Sequence, residues 1–426
     1  MIKVKKVLFL VWIVSAQLAW GQDMAQPEAY GIDSMSASAL EMKYDFVRYD
    51  LNQLQLFHAD ALSHYFEKAQ RLQRTNDTKL SILHIGDSHI QADIFSGKVR
   101  NDFNSDSRFN LNARGLVFPY RAARTNTPYN YKSYYTGRWE NMRAVKSKHR
   151  SEWGLTAITV LTNSTASTVT IKPNDGEQKY LITKVKIFYP NHDKNQFVPY
   201  IPIDEDNYIT SYFTGDGFVE YTFDKPLNEV KLQLQKTADN QTEFLLQGMT
   251  LENMEPGMTY HSTGLNGAEV DTYLRCKDFA RQVKVIKPDL VIISLGTNDA
   301  YMYTFNSSLF KMKYKRLLAQ VSEAAPRASI ILTTPGDGYR RRRYPNKNNE
   351  KAAEAIMEVA NDLNLAVWNF YEVMGGYQSV NTWYKNGLSQ RDKLHFTTKG
   401  YNLQGDLFYE SLDRTYRQWQ SGVYGQ

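Results

Sequence analysis

A chain of 426 residues, 42% of them hydrophobic, can bury a full core and divide into two domains, which excludes a disordered tail. Its formal charge is +6 from 51 basic and 45 acidic residues; without Lys3, Lys5 and Lys6 the balance is 48 against 45, and nucleic acid is not implied. Cys276 is the only cysteine, so no disulfide within the chain is available, and the eight histidines show neither HxH nor HExxH spacing, so no metal is called for.

In chain order, Lys3, Lys5 and Lys6 precede an apolar stretch from Val7 to about Trp20, and Ala19-Trp20-Gly21 puts small residues at the two positions a signal peptidase reads. Residues 1–21 are expected to be a signal peptide cleaved near Gly21/Gln22, leaving a periplasmic or secreted chain. No later segment approaches the roughly 20 apolar residues of a spanning helix. Cys276 does not follow the leader as a lipid-anchored cysteine would, so no membrane anchor is expected. From Tyr44 to about Gln73, Leu51, Leu54, Leu62, Tyr65, Phe66 and Ala69 predict helix. Leu80 to Ile85 then reads as a short buried strand. After Ser88, Ile90, Ile94, Phe95, Val99 and Phe103 recur at spacings that a helix places on one face.

Between about Gly137 and Pro256 the pattern changes to short β-rich runs separated by Asn, Asp, Gly and Pro clusters, as in Val219-Glu220-Tyr221-Thr222-Phe223. Alternation of this kind predicts antiparallel strands, here a β-sandwich. The 29 tyrosines suit sugar binding by ring stacking and equally suit ordinary half-wet β-structure. Beyond Met258 the first rhythm returns. Asp289 to Leu295 is a nearly continuous apolar strand, as expected where helices cover both faces of a parallel sheet. A helix from about Leu309 ends at Pro326, and strands at Ala328 to Thr333 and Leu365 to Trp368 flank a helical face carrying Ala352, Ala355, Ile356, Val359 and Leu363. The simplest reading is one α/β domain, residues 22–136 and 258–426, interrupted by an antiparallel β-domain at 137–257.

Ligands of open parallel sheets bind at the carboxyl ends of strands, and four polar blocks sit there. Gly86-Asp87-Ser88 follows the first strand and Gly264-Leu265-Asn266-Gly267-Ala268 precedes a helical pattern. Gly296-Thr297-Asn298-Asp299 ends the most apolar strand, and Asp392-Lys393-Leu394-His395 lies before the last helix. In this order they resemble the blocks of the SGNH, or GDSL, hydrolase superfamily over roughly residues 80–130 and 260–415, with His89 where leucine is common. The resemblance implies a flavodoxin-like three-layer α/β/α domain with a parallel sheet and a serine esterase that uses no cofactor.

In that chemistry Ser88 needs a base to take its proton, the part of His395, which later returns it to the leaving alkoxide. Asp392 accepts from the other ring nitrogen and fixes the tautomer. The resemblance further implies an oxyanion hole from the Ser88 and Gly267 backbone amides and the Asn298 side chain, Gly267 being preferred over Gly264. Asp87, His89, Asp93 and Asp299 are expected to support these loops. Arg340-Arg341-Arg342-Arg343 follows a strand end, so Arg340 and Arg341 are candidate contacts to an anionic polymer, or parts of a solvated loop. Taken alone, Ser88 would read as a helix N-cap.

Gly-Asp-Ser-His-Ile-Gln-Ala-Asp, with a β-domain between the first and second blocks, is similar to the peptidoglycan O-acetylesterases, whose insert resembles carbohydrate-binding modules. This implies an acetylated glycan polymer as partner and removal of acetyl from the 6-hydroxyl of muramic acid. Other polysaccharide acetyl esterases, an O-acetyltransferase with the same triad and a non-catalytic glycan-binding protein remain alternatives, and the insert is either a sugar-binding module or a lid.

Overall fold

The computed structural model describes residues 43–146, 148–173, 180–190 and 195–422; the expected signal peptide at 1–21 lies outside them. Among the described residues no helix is long and apolar enough to cross a membrane, and no group of three or more side chains is arranged to hold a metal ion.

Residues 44–62 depart from the expected helix. Tyr49–Leu51 form a single 3-10 turn, and Leu54–Leu56 (β1) pairs antiparallel with the last strand, Leu54 opposite Trp368. The apparent helical spacing arose from residues serving different elements: Leu54 and Leu62 are buried, whereas Leu51 is exposed. Helix α1 begins only at Ser63 and runs to Thr75.

Seven strands form the main sheet: β1, β2 (Lys79–Gly86), β3 (Leu111–Ala113), β4 (Gly257–Gly264), β5 (Leu290–Ser294), β6 (Ser329–Thr333) and β7 (Ala366–Trp368), in the order β1-β7-β6-β5-β2-β4-β3. All neighbours are parallel except β1 against β7. From β4 through β2, β5 and β6 to β7 this is the 2-1-3-4-5 order of the flavodoxin-like doubly wound sheet. Leu290, Val291, Ile292 and Ile293 are wholly buried, because a central parallel strand has helices over both faces. Each such side chain stabilises the fold by about 1.5–3 kcal/mol. The helices covering the sheet fall into two groups. Ser63–Thr75, Phe95–Ser105 and Thr398–Gln420 make up one. The other comprises Val270–Leu274, Phe279–Ile286, Ser307–Ala324 and Asn348–Asp362.

Between β3 and β4 the chain builds antiparallel sheets of four, five and three strands. They begin before residue 137, since Gly115–Val117 and Lys132–Thr136 already pair within them. Alternation accounts for the pattern: in Val230–Gln235, Val230, Leu232 and Leu234 are buried while Lys231 and Gln235 are exposed. The strand Ile209–Gly215 closes one edge of the five-stranded sheet with exposed Tyr212 and Phe213.

Candidate active site

Register brings the first three blocks to one level. Gly86 at the end of β2 lies opposite Gly264 of β4 on one side and Ser294 of β5 on the other. The residues that follow, Asp87-Ser88, Leu265 to Gly267 and Leu295 to Asn298, therefore leave the sheet side by side. The crossovers diverge between β2 and β5, which makes this the switch point where doubly wound sheets hold ligands.

Ser88 opens α2 (Ser88–Gln91), a single turn in which the Asp87 carboxylate accepts from the His89 backbone N–H at 2.9 Å. The one continuous helix expected after Ser88 is broken at Asp93, which takes a left-handed φ of +52° before α3 (Phe95–Ser105) begins. That break turns the Asp93 carboxylate inward. It accepts from Arg100 at 3.0 and 3.1 Å, Arg114 at 2.6 Å, Asn130 at 2.8 Å and Ser262 at 2.9 Å. Burial would raise its pKa, but the two guanidinium groups outweigh burial and hold the carboxyl well below the usual range. Asp93 thus clamps the serine loop to β4.

His395 arrives from a loop 307 residues further on, its Nε2 3.0 Å from Ser88 Oγ. Its Nδ1 lies 2.7 Å from Asp392 Oδ2, and Asp392 Oδ1 accepts the backbone N–H groups of Leu394 and His395 at 3.0 Å each. Burial acts to raise the Asp392 pKa, yet the His395 ring and those amides prevail and bring it down to about 2. A charged carboxylate at Nδ1 keeps the proton on that nitrogen and leaves Nε2 free to accept from the serine.

His89 packs behind this line, its ring stacked on that of His395 at 5.3 Å between centroids, with Nδ1 2.9 Å from Tyr401 Oη. Burial, reinforced by His395, lowers its pKa to about 3, so it presents a neutral face. Among the described residues, its Nε2, Asp337 Oδ1 and Gln404 Oε1 have no hydrogen-bond partner. All three residues line a polar cavity of about 30 Å³, roomy enough for ordered water.

The two candidate glycines do different work. A Cβ on Gly264 would lie 2.3 Å from Asp87 O and 2.5 Å from Gln91 N, so only glycine lets β4 approach the serine turn. Gly267 is open, with φ +79°, and among the described residues neither its N–H nor that of Ser88 meets an acceptor. Asn298, which the resemblance implies as an oxyanion donor, has resting partners for its amide. Its Nδ2 donates to Asp87 Oδ2 and to Ala268 O, each at 3.0 Å, so both hydrogens join the serine turn to the glycine loop. Burial raises the Asp87 carboxyl to about 6. Asp299 accepts the Val270 N–H at the start of helix Val270–Leu274, which follows the glycine loop, and burial together with Glu269 takes its pKa up to about 7.

The arginine run forms a hairpin in which Tyr339–Arg340 pairs with Tyr344–Pro345. The Tyr339 N–H donates to Lys393 O at 2.8 Å and the Arg341 N–H to Tyr301 Oη at 2.8 Å, which sets the hairpin between the His395 loop and the helix carrying Asn298. Among the described residues, no hydrogen bond joins an arginine of the run to Ser88, His395 or Asp392. Gln91, Arg100, Arg114, Asn126, Asn130 and Tyr401 were not singled out from sequence. Gln91 accepts from the Asn266 N–H at 2.7 Å and donates to Asn126 at 2.9 Å, fixing the glycine loop. Its place three residues after Ser88 was the one available signal.

Residues 237–403 match the model of the GDSL-like Lipase/Acylhydrolase family. Ser88 lies outside that segment, while Gly267, Asn298, Asp392 and His395 lie inside it. No curated protein matches the chain. Among solved structures, a peptidoglycan O-acetylesterase shares the fold with a TM-score of 0.71 at 21% identity, over 86% of this chain and 99% of that one. A lipase/acylhydrolase from Enterococcus faecalis aligns with a TM-score of 0.31 at 25% identity, over 37% of this chain and 77% of its own. A catalytic mutant of an acetylxylan esterase from Geobacillus stearothermophilus aligns at 0.29 and 21%, over 38% and 74%. Residues 237–403 thus match the GDSL-like lipase/acylhydrolase family, and the chain shares its fold with a peptidoglycan O-acetylesterase.

Proposed function

We propose that this hydrolase removes O-acetyl groups from cell-wall glycan, the muramic acid 6-O-acetyl of peptidoglycan foremost. The observation that carries the reading is the line from Ser88 Oγ through His395 to Asp392, with contacts of 3.0 and 2.7 Å. Ser88 Oγ adds to the acetyl carbonyl as its proton passes to His395 Nε2. The resulting oxyanion meets the free N–H groups of Ser88 and Gly267, and Asn298 keeps those two loops in register and joins them as a donor when the ester displaces one of its resting partners. Collapse expels the sugar alkoxide, which takes the proton from His395; water, deprotonated by the same imidazole, then releases acetate from Ser88.

Acetylated glycan as substrate is supported by the fold shared with the peptidoglycan O-acetylesterase, which spans the antiparallel insert as well as the α/β domain. The signal peptide expected at residues 1–21 fits an exported protein that meets this polymer outside the cytoplasm. The test incubates the protein and its Ser88→Ala variant with O-acetylated peptidoglycan and with acetylated xylan, and measures free acetate. Serine-dependent release, faster from peptidoglycan, is expected. Release from xylan alone overturns the substrate, and release that persists without Ser88 overturns the mechanism.

A further inference from the structure

The hairpin beside the site is closed by a turn in which the Arg343 N–H donates to Arg340 O at 3.1 Å, with Arg341 at φ +50° and Arg342 at φ +64° between them. Two consecutive positive φ values at the centre of a hairpin turn are the geometry that Asn-Gly satisfies at least cost, and side chains with a Cβ resist it. This chain instead places two arginines there. Strain retained at an exposed turn calls for a use of the side chains that offsets it.

Their surroundings indicate that use. Arg341, Arg342 and Arg343 are exposed, and none of the four arginines forms an ion pair with a carboxylate among the described residues. Exposed arginines elsewhere do pair, as Arg48 does with Asp50 and Arg71 with Asp77. The hairpin's neighbours add cations and rings: Lys393 Nζ lies 4.6 Å from the Tyr339 ring centroid and Arg340 Cζ 5.2 Å from that of Tyr303, which is 86% exposed. Backbone hydrogen bonds hold this rim against residue 393, two positions from His395, and against Tyr301, three from Asn298. Guanidinium forks pair with carboxylates bidentately, and an unneutralised cluster at a crevice raises the local concentration of anions.

We propose that the Arg340–Arg343 hairpin is a specificity subsite that binds carboxylates of the glycan whose acetyl ester enters the site, so that carboxylate-bearing polymer is selected over neutral acetylated glycan. The inference rests on the proposed reading of the site and names what that site reads beyond the ester. Carboxylates of peptidoglycan occur on its stem peptides and on the lactyl groups of sugars that carry no peptide, and both present the same chemistry.

The experiment uses the full chain and the variant Arg341→Asn/Arg342→Gly, which supplies the residues the turn prefers and therefore keeps the hairpin folded, together with Arg341→Lys/Arg342→Lys. Sedimentation measures binding to intact peptidoglycan sacculi, sacculi whose carboxyls are amidated, sacculi stripped of stem peptides by an amidase, and neutral acetylated xylan; acetate release from each is followed in parallel. The Asn-Gly variant is expected to bind intact sacculi about tenfold more weakly, through a higher KM with kcat preserved, and to match wild type on amidated sacculi and xylan. The wild-type affinity falls with added salt more steeply than the variant's, and the lysine pair restores part of it. Amidase treatment frees a lactyl carboxylate for each stem peptide removed, so a loss that persists on stripped sacculi shows that the subsite accepts the lactyl carboxylate, and one that vanishes there assigns the stem peptide. Equal binding of variant and wild type to intact sacculi, or an equal loss on amidated sacculi, overturns the inference. Absence of acetate release by wild type with the binding difference intact overturns the acetylesterase reading and leaves the subsite standing.

Discussion

Asp392→Asn isolates the role of one proton. Asparagine keeps the size of the side chain, and its oxygen can still accept the Leu394 and His395 backbone N–H groups that Asp392 Oδ1 now takes at 3.0 Å. The NH₂ group then faces His395 Nδ1 where a carboxylate oxygen stood at 2.7 Å. Two donors cannot share that contact, so Nδ1 must lose its hydrogen and Nε2 must carry it toward Ser88, the wrong tautomer for accepting the serine proton. The expected loss in kcat is about 10⁴-fold, or about 5 kcal/mol of transition-state stabilisation. Stability changes less. A carboxyl held at about 2 against an ordinary value near 3.9 contributes stability that is present above pH ~4 and lost as pH falls through ~2. With Asp392 24% exposed, solvent screening leaves about 1–2 kcal/mol, a few degrees in Tm. The assay is the initial rate on an aryl acetate and on acetylated peptidoglycan, with thermal unfolding of both proteins at pH 7 and pH 3. A variant that keeps more than a tenth of the wild-type kcat would refute the argument that this carboxylate sets the tautomer.

Gly264→Ala and Gly267→Ala are expected to diverge. The first drives its Cβ to 2.3 Å from the Asp87 backbone oxygen and displaces the serine turn, lowering kcat at least 10²-fold in a protein that still folds; the second meets open space and costs about 1–2 kcal/mol for its positive φ, so near-equal kcat values for the pair would refute the distinction. Asp299, with its pKa raised to about 7, favours the fold most below pH ~4, and that benefit declines as pH rises through 7. Asp299→Asn should therefore gain Tm relative to wild type at pH 8 compared with pH 5, and a Tm difference independent of pH would contradict the burial argument.

The strand-turn-helix units were legible because each buried strand of the parallel sheet is a short apolar run and each following loop is polar, as Leu290 to Ser294 and then Gly296 to Asp299 show. The serine, imidazole and carboxylate could be named from the polar blocks at those strand ends. What sequence could not supply was how side chains are shared between loops. Asn298 was expected as a donor to the oxyanion, and only the folded arrangement reveals that its amide bridges Asp87 and Ala268. Tyr401 lies on the buried side of the last helix, where its spacing looks like any core aromatic, and its hydroxyl contact with His89 leaves no periodic signal. The stretch from 44 to 62 misled because leucines buried by unrelated elements happened to fall at helical intervals, while β1 owes its strand conformation to pairing with residues more than 300 positions away.

Ser88 and His395 meet across 307 residues, with the whole antiparallel insert threaded between them. A ribosome releases the nucleophile early and its base almost last, and contacts so distant in sequence are slow to form because loop closure precedes any reward. A half-made chain therefore has no hydrolytic capacity, whatever the maturity of its first sheet strands. After dilution from denaturant, ester cleavage should begin no earlier than the loop bearing His395 docks beside Ser88, so its onset times the closure of that contact.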